Sequence, residues 1–338
     1  MNHFPPALPW GLSEKTIKEI VGVHSSAFIS TVKPSRPFGG YNGEKALIRI
    51  EPHDEVSSEV FLKKVPADQA QREMHAYKVL TSIGAPVVTC YGLRVFSDDE
   101  AVLFVEYLPC VIDWPISEKL HLDGVTAMAK LARSSFSEDM DLPQIQCLTD
   151  HDEILKGIEA AVEYANAELQ TTLKNVNCNK VLSIARHSLP DFLAEIDALP
   201  QGLTHGECYP THMGRRTPEG PILFFDVATA GIRPRFFDVQ GLIVDHGEPY
   251  EIDDINRVLK QFWDTYDQDV SYDPFCWEVK RIEGFIALRN IGVQLDFLHR
   301  SIGEAWQDAE TAAQGHIKRI YLSFKKADEV LTEWETLR

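Results

Sequence analysis

Positive charge is scarce in this sequence of 338 residues. Lysine and arginine together number 33, against 51 aspartate and glutamate residues, and the formal net charge at pH 7 is -18. Nucleic acids and anionic membrane surfaces are bound through basic patches, so the composition argues against both as partners. A small molecule or a cationic partner fits this charge better.

Long apolar runs and paired cysteines are also lacking. No stretch of eighteen apolar residues occurs, and the N-terminal MNHFPPALPW has neither the basic start nor the apolar core of a signal peptide. The six cysteines are scattered without a Cys-x-x-Cys pair, which argues against a zinc knuckle and a disulfide framework. We therefore expect a soluble, cytoplasmic protein with reduced thiols.

Hydrophobic residues make up 44% of the chain, enough for a sizeable core. The period at which these hydrophobic residues recur along the chain changes near residue 108. Before that point, alternating apolar and polar residues predict five strands, and the helical spacing of ADQAQREMHAYKVLTSIG predicts one helix between the third and fourth. The predicted strands are AFISTVKPSRP, KALIRIE, VFLKKV, PVVTCYGLRVF and AVLFVEYL.

From residue 109 onward the period is mainly helical, with one exception between 203 and 226, where a loop leads into the short strand PILFFD. This change of period predicts two domains, residues 1–108 and residues 109–338. The predicted fold class is α+β: an N-terminal five-stranded antiparallel sheet with one helix, followed by a mainly helical part.

The exceptional loop, THGECYPTHMG, holds His205, Glu207 and His212 within eight positions. A zinc site is one interpretation, since histidine and carboxylate groups are zinc ligands. However, His-x-Glu-x4-His differs from the helical His-Glu-x-x-His pattern, and Gly206 and Pro210 disfavour a helix. An ordinary hydrogen-bonded loop is the second interpretation, and the same tripeptide recurs at 246–248, so the tripeptide alone is not specific.

The residues that follow the first His-Gly-Glu, at 205–207, distinguish it from the second, at 246–248. Asp226 stands nineteen positions after Glu207, at the end of ILFFD, and Asp238 follows twelve positions later in PRFFDVQGL, where a helix begins. This order resembles the aminoglycoside phosphotransferase and choline kinase group, a branch of the protein-kinase-like fold. The resemblance implies two lobes and binding of ATP or another nucleoside triphosphate.

The resemblance extends to the N-terminal part of the chain. It implies that Lys63 in VFLKKV holds the nucleotide's phosphates and that Glu73 in the following helix is its partner. Strand alternation puts Phe61, Lys63 and Val65 on one face and Lys64 on the other. A solvated pair of lysines on an edge strand is the alternative for Lys63 and Lys64.

Two further segments carry the nucleotide-binding features that the resemblance implies. The glycines of GGYNGE would form the loop that covers the nucleotide: Gly39, Gly40 and Gly43. Backbone groups in VLFVEYLP would bind adenine as the hinge: Glu106, Tyr107 and Leu108.

In the second part of the chain, the resemblance implies that Glu207 orients the acceptor hydroxyl and that Asp226 and His212 hold the metal. It gives His205 a structural role and makes Asp238 a brace for the loop, and an ordinary helix cap is the alternative for Asp238. Two residues depart from the family pattern, because the catalytic position usually carries Asp and position 212 usually carries Asn. Glutamate has the same charge, whereas imidazole suits Mn²⁺ better than Mg²⁺, so either metal is considered.

A cluster of acids in the second part points toward the acceptor. Nine acids stand between positions 245 and 273 against only two basic residues: Asp245, Glu248, Glu251, Asp253, Asp254, Asp264, Asp267, Asp269 and Asp273. One interpretation is an acidic wall that favours an amine-bearing substrate such as an aminoglycoside or amino alcohol. The other is a solvated acidic helix face.

Together these features predict a small-molecule kinase that moves the terminal phosphate of a nucleotide to a hydroxyl group of a small molecule. The alternative is a catalytically degenerate kinase-like protein that binds a nucleotide or a partner without turnover. Both hypotheses depend on the same two altered positions, 207 and 212.

Overall fold

The protein is described by a computed structural model. It describes residues 8–33, 44–51, 58–111, 117–134, 140–168, 176–245, 248–249, 255–266, 270–303 and 309–338. Within these ranges, no helix combines the length and the apolar character needed to span a bilayer.

Helices dominate the second half of the chain and strands the first. The helices are α1 (Glu14–Val21), α2 (Ala67–Ser82), α3 (Glu118–Ala132), α4 (His151–Glu168), α5 (Cys178–Asp197), α6 (Val239–Ile243), α7 (Ile255–Tyr266), α8 (Tyr272–Gly303) and α9 (Ala309–Leu337). The strands are β1 (Phe28–Val32), β2 (Glu44–Glu51), β3 (Ser58–Val65), β4 (Cys90–Ser97), β5 (Glu100–Glu106), β6 (Cys110–Val111), β7 (Gln201–Thr204), β8 (Met213–Arg215), β9 (Leu223–Phe224), β10 (Gly231–Pro234), β11 (Val244–Asp245) and β12 (Glu248–Pro249).

The chain forms two compact units. Unit 1 comprises residues 1–115, 137–142 and 211–230, and unit 2 comprises residues 116–136, 143–210 and 231–338. The boundary at residue 108 stays a prediction. The compact units differ from it in assigning the segment 211–230, which contains His212 and Asp226, to unit 1.

The core of unit 1 is an antiparallel sheet of β1 to β5 in the order β1-β2-β3-β5-β4. All five predicted strands and the inserted helix α2 are therefore present. Because side chains alternate along each strand, the sheet has two distinct faces. One face carries Val60 and Leu62 and is covered by α1, whose Ile17 is completely buried. Ser13 caps α1 by accepting a hydrogen bond from the Thr16 N–H at 3.1 Å.

The opposite face carries Lys63 and Val65. Val65 packs with Ala67 and Ala70 at the start of α2, which fixes this helix against the sheet. Glu73, one turn further along α2 from Ala70, is buried on the same side of the helix. The sheet face with Lys63 is therefore the one that α2 supports.

The segment 211–230 joins unit 1 through a small sheet of β6, β8 and β9. A parallel bridge between Val87 and Phe224 adds a second connection, with the Val88 N–H donating to the Phe224 carbonyl at 3.0 Å. Phe224 is completely buried. These connections fix the chain directly before Asp226 within unit 1.

Unit 2 is mainly helical, with β7 and β10 forming an antiparallel pair. The long helices α8 and α9 pack together, and α4 packs on α8 where Gly157 meets Gly292. A Cβ atom on Gly157 would lie 2.8 Å from the Gly292 Cα, so the two helices cross at glycine. The mainly helical character predicted from residue 109 onward is present in the described ranges.

Candidate functional site

Lys63, Glu73 and Asp226 form a charged cluster in unit 1. The Lys63 Nζ donates to Glu73 Oε2 at 2.9 Å and to Asp226 Oδ1 at 2.7 Å. The side chains of Lys63 and Glu73 are 8% and 2% exposed, whereas that of Asp226 is 36% exposed. Asp226 thus presents an oxygen toward solvent while the lysine and its helix partner are buried.

The charges of this cluster keep Lys63 protonated. Burial alone would lower the pKa of Lys63, but the nearby charges of Glu73 and Asp226 and their hydrogen bonds raise it above its ordinary value. A buried ammonium held this way is a fixed positive charge at neutral pH. The structure therefore brings together the predicted phosphate-binding lysine, its helix partner and the predicted metal-binding aspartate.

Asp226 has an uncommon backbone conformation. Its φ angle is 61°, in the left-handed region that side-chain-bearing residues enter at a cost, although Asp tolerates it better than most. The Asp226 N–H donates to the buried Tyr77 hydroxyl at 3.0 Å, which holds the backbone in this state. Strained backbone fixed by buried neighbours is typical of functional positions.

His212 lies beside Asp226, as the sequence-based metal site requires. The His212 Nε2 is 4.0 Å from Asp226 Oδ2, and the Phe225 N–H donates to the His212 carbonyl at 3.1 Å. Neighbouring ligands of an octahedral Mg²⁺ or Mn²⁺ at about 2.1 Å lie roughly 3 Å apart, so the two atoms would have to approach each other to bind one ion. The described residues contain no group of three or more His, Cys, Asp or Glu side chains arranged for a metal.

Asp226 and His212 would therefore offer a metal ion two ligands from the protein once the two side chains approach each other. Mg²⁺ and Mn²⁺ in phosphate-transfer sites keep water and phosphate oxygens as their other ligands, so two protein ligands are sufficient. The imidazole nitrogen of His212 favours Mn²⁺, and the carboxylate of Asp226 suits either ion.

Lys45 is a residue of this region that the sequence reasoning missed. It stands directly opposite Lys63 in the β2–β3 pairing, so both side chains share one face of the sheet. The sequence reasoning compared Lys63 only with its neighbour Lys64 on β3. Applying the same alternation to KALIRIE after a strand pairing had been chosen would have revealed Lys45.

The predicted hinge, Glu106, Tyr107 and Leu108, follows β5. The Glu106 N–H donates to the Thr89 carbonyl at 2.8 Å and the Tyr107 N–H to the Glu59 carbonyl at 3.1 Å. Pro109 has no N–H. The Leu108 N–H has no hydrogen-bond partner in the described part of the chain.

The Glu106 side chain is occupied by its own neighbours. Its carboxylate accepts hydrogen bonds from the Arg216 guanidinium and from the Thr89 N–H. Burial alone would raise the pKa of Glu106, but these bonds lower it below its ordinary value. Both the side chain and the N–H of Glu106 therefore have partners within unit 1. The predicted loop glycines Gly39, Gly40 and Gly43 lie outside the described residues.

The loop that carries His205 and Glu207 begins in unit 2, directly after β7. Asp238, at the start of α6, accepts the His205 N–H at 2.6 Å and the Gly206 N–H at 2.8 Å. Both His205 and Asp238 are buried, whereas Glu207 is exposed. The carboxylate of Asp238 thus braces the loop, as expected, and Glu207 projects from a fixed backbone.

Two further features fix this loop. Gly206 has a φ of 90°, which favours glycine at the bend before Glu207. A Cβ atom on Gly241 of α6 would lie 2.2 Å from the Cys208 carbonyl oxygen, so α6 approaches the loop too closely for any other residue. Burial raises the pKa of Asp238 to about 6, although the two N–H donors and Arg233 act in the opposite direction.

A small cavity adjoins Glu207 within unit 2. Its volume is about 30 Å³, room for a water molecule or a similarly small group, and its lining includes Glu207, Tyr209, Gln240 and Asn290. Gln240 is 2% exposed and its Nε2 donates to the Val279 carbonyl at 3.1 Å. Amide side chains from α6 and α8 therefore accompany the predicted hydroxyl-orienting residue, and the sequence reasoning included neither of them.

The acidic stretch 245–273 is only partly described. Glu251, Asp253, Asp254, Asp267 and Asp269 lie outside the described residues. Asp264 is exposed and pairs with Lys260 one helical turn away at 3.6 Å. The acidic wall for an amine-bearing acceptor stays a prediction.

Solved structures share this architecture. A spectinomycin phosphotransferase in complex with ADP and spectinomycin aligns with a TM-score of 0.56 and 11% identity, over 89% of this chain and 92% of that chain. A Plasmodium vivax ethanolamine kinase gives 0.54 and 12%, covering 87% and 82% of the two chains. A choline kinase from Cryptosporidium parvum gives 0.54 and 13%, covering 92% and 93%. No protein-family model and no curated protein sequence matches the chain.

These likenesses extend over most of each chain. They confirm the predicted fold class. The solved structures are also of the kinds that the sequence motifs resemble, an aminoglycoside-type phosphotransferase and choline and ethanolamine kinases. At 11 to 13% identity the likeness is one of fold.

Proposed function

We propose that the protein is an ATP-dependent phosphotransferase that moves the terminal phosphate of the nucleotide to a hydroxyl of a small molecule. The observation that carries this proposal is the cluster in which Lys63 binds both the buried Glu73 and the half-exposed Asp226. A lysine fixed by a helix carboxylate, next to a metal-binding carboxylate, is the arrangement that phosphoryl transfer requires.

Phosphoryl transfer depends on position and charge more than on covalent chemistry. Lys63 would bind phosphate oxygens of the nucleotide, and Glu73 would keep its ammonium in place. The Leu108 N–H would donate to the base, and the solved neighbours in complex with ADP support a nucleotide as the ligand. Asp226 and His212 would hold Mg²⁺ or Mn²⁺, and the bound metal would neutralise charge on the phosphates.

Glu207 would orient the acceptor hydroxyl and accept its proton. Glutamate is longer than aspartate by one methylene, but its intrinsic pKa of about 4.3 is close to the value of about 3.9 for aspartate. The transition state of phosphoryl transfer is usually loose, so the base makes a modest contribution. The backbone brace from Asp238 would hold Glu207 in position.

The acceptor would be a small molecule that carries an amine or another donor next to its hydroxyl. Glu207 and the amide side chains of Gln240 and Asn290 line the small cavity, which would take one hydroxyl or ammonium group of the acceptor, since a carboxylate with amide oxygens suits such donors. The solved neighbours named for spectinomycin, ethanolamine and choline support this acceptor class.

Nucleotide binding is the first test of the proposal. Thermal denaturation of the wild type with ATP plus Mg²⁺ or Mn²⁺ should show stabilisation, larger with Mn²⁺ because of His212. The His212→Asn variant should shift this preference toward Mg²⁺, whereas His187→Asn, a change at an exposed histidine of α5, should leave it unchanged. Absence of stabilisation with every metal would contradict the proposal.

A degenerate kinase-like protein is the second candidate, and the altered residues Glu207 and His212 favour it. Such a protein would bind ATP but not consume it. The Glu207→Asp variant separates the two candidates, since it carries the aspartate of the family pattern. In a degenerate protein the wild type has no turnover and this variant would gain it. In an active enzyme, wild-type turnover is already measurable and Glu207→Ala lowers it.

A further inference from the structure

Lys45 and Lys63 lie side by side in unit 1. In the antiparallel pairing of β2 with β3, Lys45 stands opposite Lys63, as Leu47 stands opposite Phe61. Directly opposed residues have Cβ atoms about 4.5–5.5 Å apart and point to the same face of the sheet. Lys45 therefore shares the face that carries the predicted phosphate-binding lysine.

Further along the same row, Lys63 stands opposite Leu103 on β5, and Leu103 stands opposite Leu93 on β4. Leu103 is completely buried and Lys45 is half-buried. Like charges placed directly opposite each other on a sheet destabilise it. Two adjacent lysines on a partly buried face therefore require negative charge beside them, from the protein or from a ligand.

The surroundings of Lys45 belong to the candidate nucleotide site. Burial lowers the pKa of Lys45 and the charge of Lys63 lowers it further, whereas the charge of Asp226 acts in the opposite direction. Two of the three members of the charged cluster, Lys63 and Asp226, thus influence the charge of Lys45. Lys45 also lies two residues after Gly43, the last glycine of the loop predicted to cover the nucleotide.

Lys64 provides an internal comparison. It is the neighbour of Lys63 on β3 and projects to the opposite face. Its Nζ binds Glu44 at 3.1 Å and also binds Glu100, and these hydrogen bonds raise its pKa. Lys64 has carboxylate partners on its own face, away from Asp226.

We propose that Lys45 is a second phosphate-binding cation, whose ammonium binds the polyphosphate chain of a nucleoside triphosphate beside Lys63. The inference rests on the proposed function for the nucleotide as ligand. Without ligand, the positive charges of the two lysines are balanced by Glu73 and Asp226. A divalent ion held by Asp226 and His212 would add positive charge, which the triphosphate would offset.

Phosphate binding by Lys45 predicts effects of substitution that a purely structural function of Lys45 would not produce. Replacing Lys45 with methionine removes one of two repelling charges, so the ligand-free protein should be as stable as the wild type or more stable. The same variant should bind ATP about 10- to 100-fold more weakly, the effect of losing one charge-assisted hydrogen bond. Adenosine has no phosphate, so its affinity should be unchanged.

The test is isothermal titration calorimetry of ATP, ADP and adenosine in Mn²⁺ with the wild type, Lys45→Met, Lys45→Arg and the control Lys64→Met. We expect a loss for ATP in Lys45→Met, recovery in Lys45→Arg, and wild-type affinity in Lys64→Met. Wild-type ATP affinity in Lys45→Met, or an equal loss for adenosine, would overturn the inference while leaving the proposed function intact. A wild-type protein that binds none of the three would refute both.

Discussion

The buried Lys63–Glu73 pair allows one prediction to be worked out quantitatively. In the Lys63→Met variant, Glu73, with a side chain only 2% exposed, loses the ammonium that offsets its burial. A buried charge left without its partner costs about 3–5 kcal/mol of unfolding free energy. Asp226 contributes little to this cost, since its side chain is 36% exposed and water can solvate it.

The reverse variant, Glu73→Leu, should cost less. Lys63 would keep its hydrogen bond to Asp226 Oδ1 at 2.7 Å, so its charge stays compensated. The loss is then close to that of one charge-assisted hydrogen bond, about 1.5–3 kcal/mol. The structure therefore predicts an asymmetry, with Lys63→Met the more destabilising of the two.

The double variant should be more stable than the sum of the single effects predicts. With both charges replaced by apolar side chains of similar size, no deeply buried charge is left without a partner, since Asp226 is 36% exposed, and the coupling energy should be about 3 kcal/mol. Urea unfolding followed by far-ultraviolet circular dichroism gives the three free energies, and calorimetry should show that the double variant no longer binds ATP. Additive effects, or a larger loss in Glu73→Leu than in Lys63→Met, would refute the reasoning.

The brace at the Glu207 loop gives two further predictions. Because burial raises the folded-state pKa of Asp238 to about 6 from 3.8, its stabilisation is fully present below pH 3.8 and is lost as pH rises through 6. The free energy of unfolding of the wild type, measured relative to that of Asp238→Asn, should therefore fall by on the order of 3 kcal/mol between about pH 4 and pH 7. If urea unfolding gives the same difference between the two proteins at every pH, this prediction is contradicted. Gly241→Ala should displace the Cys208 carbonyl, so it should lower the turnover rate strongly and the free energy of unfolding only slightly. Gly315→Ala on α9 is the control, since no atom lies within 4 Å of its added Cβ, and it should change neither quantity. Equal behaviour of the two variants would show that α6 does not position the loop.

The N-terminal sheet was predictable because its strands alternate apolar and polar residues. Each of the five predicted runs overlaps an observed strand, and the helix between β3 and β4 was found from its spacing. The alternation of apolar and polar residues does not determine the order of the strands in the sheet, however. The sequence reasoning therefore identified Lys63 on β3 but not Lys45, whose position depends on the register between β2 and β3.

The position of the segment 211–230 could not be derived from period alone. Its strands β8 and β9 are two or three residues long, and β8 is fixed by pairing with β6, about a hundred positions earlier in the chain. The brace from Asp238 was expected from the motif, whereas the left-handed backbone of Asp226 depends on the Tyr77 hydroxyl, which no local pattern reveals. Tertiary contacts determine both features.

Phosphoryl transfer itself is the most direct test of the proposed activity. Phosphorus NMR would follow ATP in Mg²⁺ or Mn²⁺ with a panel of amino alcohols and aminoglycosides, using the wild type, Asp226→Ala and the exposed control Asp68→Ala. The account predicts ADP and a phosphorylated acceptor with the wild type and Asp68→Ala, and a loss of about 100-fold or more with Asp226→Ala. Turnover by Asp226→Ala at the wild-type rate, or intact ATP with every acceptor, would contradict it.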